Sequence, residues 1–284
     1  MVERKIKGWI QLFRPELPFA AGVCVVLGEI IAFGNFPSLR ESLLGFLTAF
    51  FISSSALILN DYFDLEVDKT NAPDRPLPSG AVSAPEAIAL TVITTLTGLA
   101  ASFLASLQAL ILAVIAWSVG ALYNWRFKQA GLLGNLMVAA CVGFTFILGG
   151  VIVGQPLSKI VWFFGLIAFL VDLAEEIAGD AMDVEGDRKR DSRSLAITLG
   201  KRVALRISAA LFVLVVLLSF VPFILGWMGI PYLIVISILG VLTLVSTFKL
   251  ASSRTPEEGR RFMRWIYLGA LFGMLAFIIG RLFA

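Results

Sequence analysis

"NDYFDLEVDKTNAPDRPLPSG", Asn60 to Gly80, places four aspartates, a glutamate, a lysine and an arginine within sixteen residues, directly after a long apolar run. The surrounding chain is unlike this stretch. Of its 284 residues 58% are hydrophobic and 15% charged, with a mean hydropathy of +0.91, whereas a soluble domain is about half apolar and about a quarter charged. Such a chain is expected to be an all-α polytopic membrane protein, with residues 1–284 forming one transmembrane domain. The opening "MVERKIKGWIQLFRPELP" lacks the n-region, h-region and cleavage pattern of a secretory signal. It reads as a basic amphipathic lead-in to a first span, with no processing expected.

A helix crossing the hydrocarbon core needs about 20 apolar residues. Nine such runs are found, at 15–33, 39–60, 84–105, 107–123, 131–153, 158–178, 204–226, 230–250 and 262–283. Only "SLQ" separates the third from the fourth, which leaves open a single kinked segment there. Charge argues against it. With nine spans, Arg40, Lys159 and Arg281 fall on one side and the other 20 of the 23 Lys and Arg on the opposite side, which the positive-inside rule makes cytoplasmic. A merged segment would send Arg126, Lys128 and the basic residues of 188–206 outside. The N-terminus and the polar segments 61–83 and 179–203 are therefore expected in the cytoplasm of a multi-pass cell-membrane protein.

Several chemistries are excluded early. Histidine is absent, which removes His-based metal sites, His bases and Ser-His-Asp triads. Cys24 and Cys141 sit in apolar spans, as small hydrophobes do. The basic residues are scattered without interleaved aromatics, so no nucleic-acid partner is expected, and no obligate protein partner is evident.

Acid, by contrast, is concentrated. Of 20 Asp and Glu residues, 5 lie in 61–74 and 8 in 172–191. Asp61, Asp64 and Asp68 have the spacing D-x2-D-x3-D, repeated by Asp180, Asp183 and Asp187. Steps of three and seven residues return to nearly the same helix face, so each set can point one way if the helix continues past its span. Like charges so placed repel and call for a cation. Lys69, Arg75, Arg188, Lys189 and Arg190 could serve, leaving a solvated loop. Against that bland reading stand the duplicated spacing, Asn60 at the end of a span, and Asp172, Glu175 and Glu176 inside the sixth, since acids within a span are costly. Oxygen donors without His or Cys suit Mg2+, which takes carboxylates together with phosphate oxygens. Arg75, Lys128 and Arg14 could then neutralise the phosphate oxygens left uncovered. A diphosphate held over an apolar bundle implies a hydrocarbon remainder, hence a polyprenyl diphosphate among membrane lipids. In "NAPDRPLPSG" two prolines flank Arg75, and Ser83 is expected to cap the next helix, with Pro85 in its first turn.

These residues resemble the UbiA superfamily of intramembrane prenyltransferases. Its signatures, N-x3-D-x3-D and D-x3-D, correspond to Asn60, Asp64 and Asp68 and to Asp183 and Asp187. "LYNWRFKQAGLLGN" is similar to the family's Tyr/Lys segment, giving Tyr123 and Lys128, with Asn124 where Ser is common. The resemblance covers the whole chain. It implies nine transmembrane helices in one bundle with cytoplasmic loops capping the active site. It also implies Mg2+ on Asn60, Asp64, Asp68, Asp183 and Asp187; diphosphate contacts from Asn60, Arg75, Tyr123 and Lys128, to which charge placement adds Arg14; and catalysis by the four motif aspartates with Lys128. Asp61, Asp180, Asp172, Glu175 and Glu176 are secondary candidates. Within the superfamily the first motif is similar to enzymes that add a second geranylgeranyl chain to geranylgeranylglyceryl phosphate in archaeal ether-lipid synthesis. Chlorophyll synthases and quinone prenyltransferases are similar too. A lipid-like acceptor is thus expected, the glyceryl phosphate ahead of an aromatic quinone precursor. A transporter would carry its ionisable groups near mid-membrane, whereas here only Glu29 lies towards the outer half of a span. A membrane scaffold would show no metal dependence.

Overall fold

The computed structural model describes residues 2–189 and 192–283, and the regular elements among them are all helical. In chain order they are α1 (Val2–Phe13), α2 (Glu16–Phe33), α3 (Leu39–Phe63), α4 (Leu65–Asn71), α5 (Ala84–Ala105) and α6 (Leu107–Leu122), which runs into a π-helical turn, Tyr123–Phe127. Then come α7 (Leu132–Ile152), α8 (Lys159–Met182), α9 (Val184–Lys189), α10 (Leu195–Thr198), α11 (Lys201–Leu218), α12 (Val221–Ile224), α13 (Ile230–Ala251) and α14 (Pro256–Leu282). Among the described residues eight helical stretches are long and apolar enough to cross a membrane. The expected sixth span corresponds to α8, whose 24 residues suffice in length but carry Asp172, Glu175, Glu176 and Asp180.

The break between the third and fourth spans is real. Ser106 is fully extended (φ −170°, ψ 161°), and its Oγ accepts from the Ala109 N–H at 3.0 Å, capping α6. Its cap interaction starts a new helix instead of kinking an old one. Ser83 caps α5 as expected, in a reciprocal capping box with Glu86 and with Pro85 in the first turn. The expected span 204–226 is present as Lys201–Ile224, its helix interrupted between α11 and α12. Pro222 stands in the first turn of α12, a position that tolerates its missing N–H where a helix interior does not.

The chain forms two compact units, Met1–Arg126 with Phe144–Trp162, and Phe127–Gly143 with Phe163–Ala284. In the first, α3 packs against α1, α2, α5 and α6. The close approach of α2 to the C-terminal part of α7 depends on glycine. A Cβ on Gly28 would lie 2.7 Å from the Phe146 carbonyl oxygen, and one on Gly149 would lie 2.6 Å from the Glu29 nitrogen. Small residues let backbones meet in this way inside a membrane, so these glycines serve packing. Glu29 is fully buried in the same contact region, its carboxyl against Gly45. In the second unit α8 supplies the core, with Leu173, Ala174, Ile177, Ala178 and Ala181 buried against Phe212 of α11, Leu250 of α13 and Ile266 of α14. Ser208 of α11 donates its hydroxyl to the Ala174 carbonyl at 2.6 Å.

Candidate active site

Each unit carries one acidic set, and the two sets have the same local structure. Asp61 lies on α3, Asp64 is the junction residue between α3 and α4, and Asp68 lies on α4. Likewise Asp180 lies on α8, Asp183 separates α8 from α9, and Asp187 lies on α9. The backbone ladder crosses both junctions, with Asp64 N donating to Asn60 O at 3.0 Å and Asp68 N to Asp64 O at 2.8 Å. The matching bonds in the second unit are Asp183 N to Gly179 O at 3.0 Å and Asp187 N to Asp183 O at 2.9 Å. Hydrogen bonds thus run on from a span helix into a short polar one, and the i, i+3, i+7 spacing keeps the acids on neighbouring turns. The repeated spacing reflects a repeated helix–junction–helix element.

In the first unit Asp61 and Asp68 are 4% and 2% exposed, and burying two carboxylates demands compensating charge. Arginines supply it. Arg14 Nη2 donates to Asp61 Oδ1, and Arg75 Nη1 lies 2.5 Å from Asp68 Oδ2 and 3.8 Å from Asp61 Oδ1. Arg14 sits between α1 and α2 with φ +42°, a left-handed conformation uncommon outside glycine. The Arg75 loop is tied down by Arg75 N to Ala72 O, Ser79 N to Arg75 O and Val82 N to Pro76 O, each 3.0 Å. Beneath it Leu77 and Val82 join Leu12, Ile58 and Ala87 in a small core, so the backbone bearing Arg75 is fixed, as its prolines suggested. Lys69 instead pairs with Glu66 at 2.7 Å on the exposed side of α4.

Tyr123 opens the π-helical turn, and Asn124 within it is 8% exposed. Asn124 Nδ2 donates to the Ala56 carbonyl of α3 at 2.9 Å, one helical turn before Asn60. A carbonyl partner identifies the donating amide nitrogen without ambiguity. The i→i+5 turn, a form that recurs at functional sites, is thereby fastened to the helix bearing the first motif. Asn124 was flagged in the sequence only as a departure from Ser. Asn124→Ala is expected to lower stability in detergent by about 1 kcal/mol for the lost bond and to lower turnover about tenfold or more by loosening Tyr123. Denaturant unfolding and steady-state rates measure the two effects.

In the second unit Asp180 accepts from Asn135 Nδ2 of α7 at 2.9 Å, and Glu175 accepts from the Tyr267 hydroxyl of α14 at 2.8 Å. Glu176 and Asp172 project from the same α8. Lys128 follows the π-turn in a segment joined to the end of the acidic loop, where Arg193 N donates to Gln129 O at 3.0 Å. Gly131, at φ +63°, lies directly against the Arg193 backbone, and a side chain there would force the two strands of chain apart. Arg190 and Asp191 lie outside the described residues. Asp183 folds its carboxylate over Gly186, whose added Cβ would lie 2.6 Å from Oδ1. Gly186 is a second residue that spacing alone did not single out.

The donors fit a hard divalent cation in kind: carboxylates and one amide oxygen, with no imidazole in the chain. Among the described residues no three acidic side chains already converge on one point. In the first unit the reason is visible, because Asp61 and Asp68 are turned to Arg14 and Arg75.

Comparison with known proteins gives a consistent result. The model of the UbiA prenyltransferase family matches residues 21–278. The chain is 33% identical over 278 residues to the digeranylgeranylglyceryl phosphate synthase of Thermococcus kodakarensis, covering 98% of this chain and 99% of that one. A solved structure concerned with digeranylgeranylglyceryl phosphate synthase in membranes is 32% identical, with a TM-score of 0.84 and 99% of both chains covered. The fold is shared as well with a UbiA homolog from Archaeoglobus fulgidus bound to GPP and Mg2+, at 20% identity and a TM-score of 0.68, over 95% of this chain and 99% of that one.

Proposed function

Since the chain belongs to the UbiA prenyltransferase family, and is thus a multi-pass membrane prenyltransferase, we propose that it transfers a geranylgeranyl group from its diphosphate to the free hydroxyl of geranylgeranylglyceryl phosphate. The observation that carries this acceptor is full-length similarity at 33% identity to a relative named for that reaction. On this reading residues 1–284 are a single prenyltransferase domain, with α8 as its ninth span and the N-terminus and acidic segments in the cytoplasm.

Asn60, Asp64, Asp68, Asp183 and Asp187 are the residues that would hold Mg2+. Such an ion, when bound, supplies charge neutralisation for a leaving diphosphate. The chain's own cations do the same work from their side. Arg14, Arg75 and Lys128, with the Tyr123 hydroxyl, bind and orient the phosphate oxygens, on which negative charge grows as the allylic C–O bond breaks. The bond pair leaves with the diphosphate and the prenyl carbon becomes cationic. The apolar helices keep water from it. The acceptor hydroxyl then forms the new C–O ether bond and releases its proton, which a carboxylate among Asp64, Asp172, Glu175 and Glu176, or the departed diphosphate, takes up.

The test uses purified protein with geranylgeranyl diphosphate and Mg2+. Addition of geranylgeranylglyceryl phosphate is expected to release diphosphate and yield the doubly alkylated ether by mass spectrometry. Product with 4-hydroxybenzoate or a naphthoate alone would replace this acceptor. Ion flux in liposomes with no product from any acceptor would overturn the reading in favour of transport.

A further inference from the structure

We propose that Arg75 is an exchangeable counter-cation: it neutralises Asp68 in the metal-free protein, yields that carboxylate when a divalent cation arrives, and remains beside it on Asp61, free to meet a polyanion. The proposal deepens the prenyl-diphosphate reading and rests on it.

Four groups are linked by ion pairs. Asp61 and Asp68 are buried, with side chains 5% and 3% exposed, whereas the side chains of Arg14 and Arg75 are 28% and 38% exposed. Each guanidinium therefore lies on a buried acid while part of its side chain stays accessible, and a guanidinium has five N–H donors to distribute. Two acids matched by two arginines give a set with no net charge, which by itself attracts polyanions poorly. A divalent ion on Asp68 changes the balance, because it takes over the compensation of that carboxylate and leaves Arg75 with unspent charge.

The geometry gives Arg75 a place to stay. Asp61 Oδ1 lies 3.8 Å from Arg75 Nη1 while Asp68 Oδ2 lies at 2.5 Å, so the same nitrogen reaches the second acid by a small side-chain movement on an unmoving loop. Asp61 is held from its other side by Arg14, whose left-handed backbone (φ +42°) keeps it in the cluster at a conformational cost. Asp61 is accordingly a positioning residue that retains both arginines. By linkage, whatever Arg75 does to cation binding, cation binding does to Arg75 in equal measure.

The test measures binding of Mn2+ alone, by electron paramagnetic resonance of the free ion, and melting temperature without metal, for the full-length protein in detergent. Arg75→Gln is expected to bind Mn2+ about tenfold more tightly or better, since the ion no longer displaces an arginine, and to melt several degrees lower without metal, since two buried acids then share one cation. Lys69→Gln removes the same charge from the residue next to Asp68, yet Lys69 is paired with Glu66. It is expected to change Mn2+ affinity less than twofold. Arg75→Lys keeps the charge and should preserve the melting temperature, which makes the comparison possible should Arg75→Gln fold poorly; its single ammonium should release Asp68 more readily than the fork does. Unchanged or weaker Mn2+ binding in Arg75→Gln, or equal shifts in Arg75→Gln and Lys69→Gln, overturns the proposal. Because the readouts need no prenyl substrate, the function stands or falls separately on product formation by the unaltered protein.

Discussion

Asp187→Ala and Asp64→Ala are each expected to lower turnover of geranylgeranyl diphosphate about 10²- to 10³-fold or more, with the protein still folded in detergent. Removing one group that stabilises charge developing on a leaving oxygen costs that much in well-studied enzymes, and each factor of ten is about 1.4 kcal/mol of barrier. Neither residue belongs to an apolar core. Asp64 is a helix junction and Asp187 lies on the short α9, so helical content by circular dichroism should stay near that of the unaltered protein. The two aspartates come from separate units of the chain, yet the expected losses are alike, because the proposed reaction assigns both to the same leaving group. Groups acting as one catalytic unit do not add; the double variant should therefore be hardly worse than either single one. Near-normal turnover in Asp187→Ala would remove it from the site, and fully multiplicative losses would argue for two independent roles.

Chelation should be as decisive. Excess EDTA is expected to abolish diphosphate release, and Mg2+ in excess over the chelator to restore it. The donor set is the ground for this expectation, since carboxylates and an amide oxygen hold Mg2+ weakly enough to lose it to a chelator. In the first unit Asp61 and Asp68 are paired with Arg14 and Arg75. The chelated protein should consequently keep its fold, and circular dichroism before and after EDTA should coincide. Turnover that persists in EDTA would contradict the metal assignment; loss of helical signal would mean that the ion is structural.

Much of this was readable from the sequence because a membrane leaves so few options for the backbone. Apolar runs of about 20 residues must be helices there, and the helix ends at Phe33, Ala105 and Ile152 fall close to where those runs stop. The D-x2-D-x3-D echo foretold a repeated element, and a repeated helix–junction–helix element is present. The misses have physical causes. The seventh expected span is present, but its interruption before Pro222 was not legible, since a proline within an apolar run does not reveal whether a membrane helix bends or restarts there. The pairing of Arg14 with Asp61 joins residues 47 positions apart, and no local periodicity encodes such a partner. The π-turn at Tyr123–Phe127 has no composition signature, so Asn124 gained a role only when Ala56 was found beside it. Gly186 could have been noticed, because a glycine between Asp183 and Asp187 weakens a helix unless something needs the space. The space is taken by the Asp183 carboxylate.

The central claim is that both acidic sets serve one diphosphate. It is tested most directly by solving the structure with Mn2+ and a thiodiphosphate analogue of the prenyl donor and locating the ions by anomalous scattering. The account predicts Mn2+ ions on a single diphosphate, ligated by Asp64 or Asp68 and also by Asp183 or Asp187. Metal and diphosphate held by one set alone, with the other set on no ligand, would contradict it.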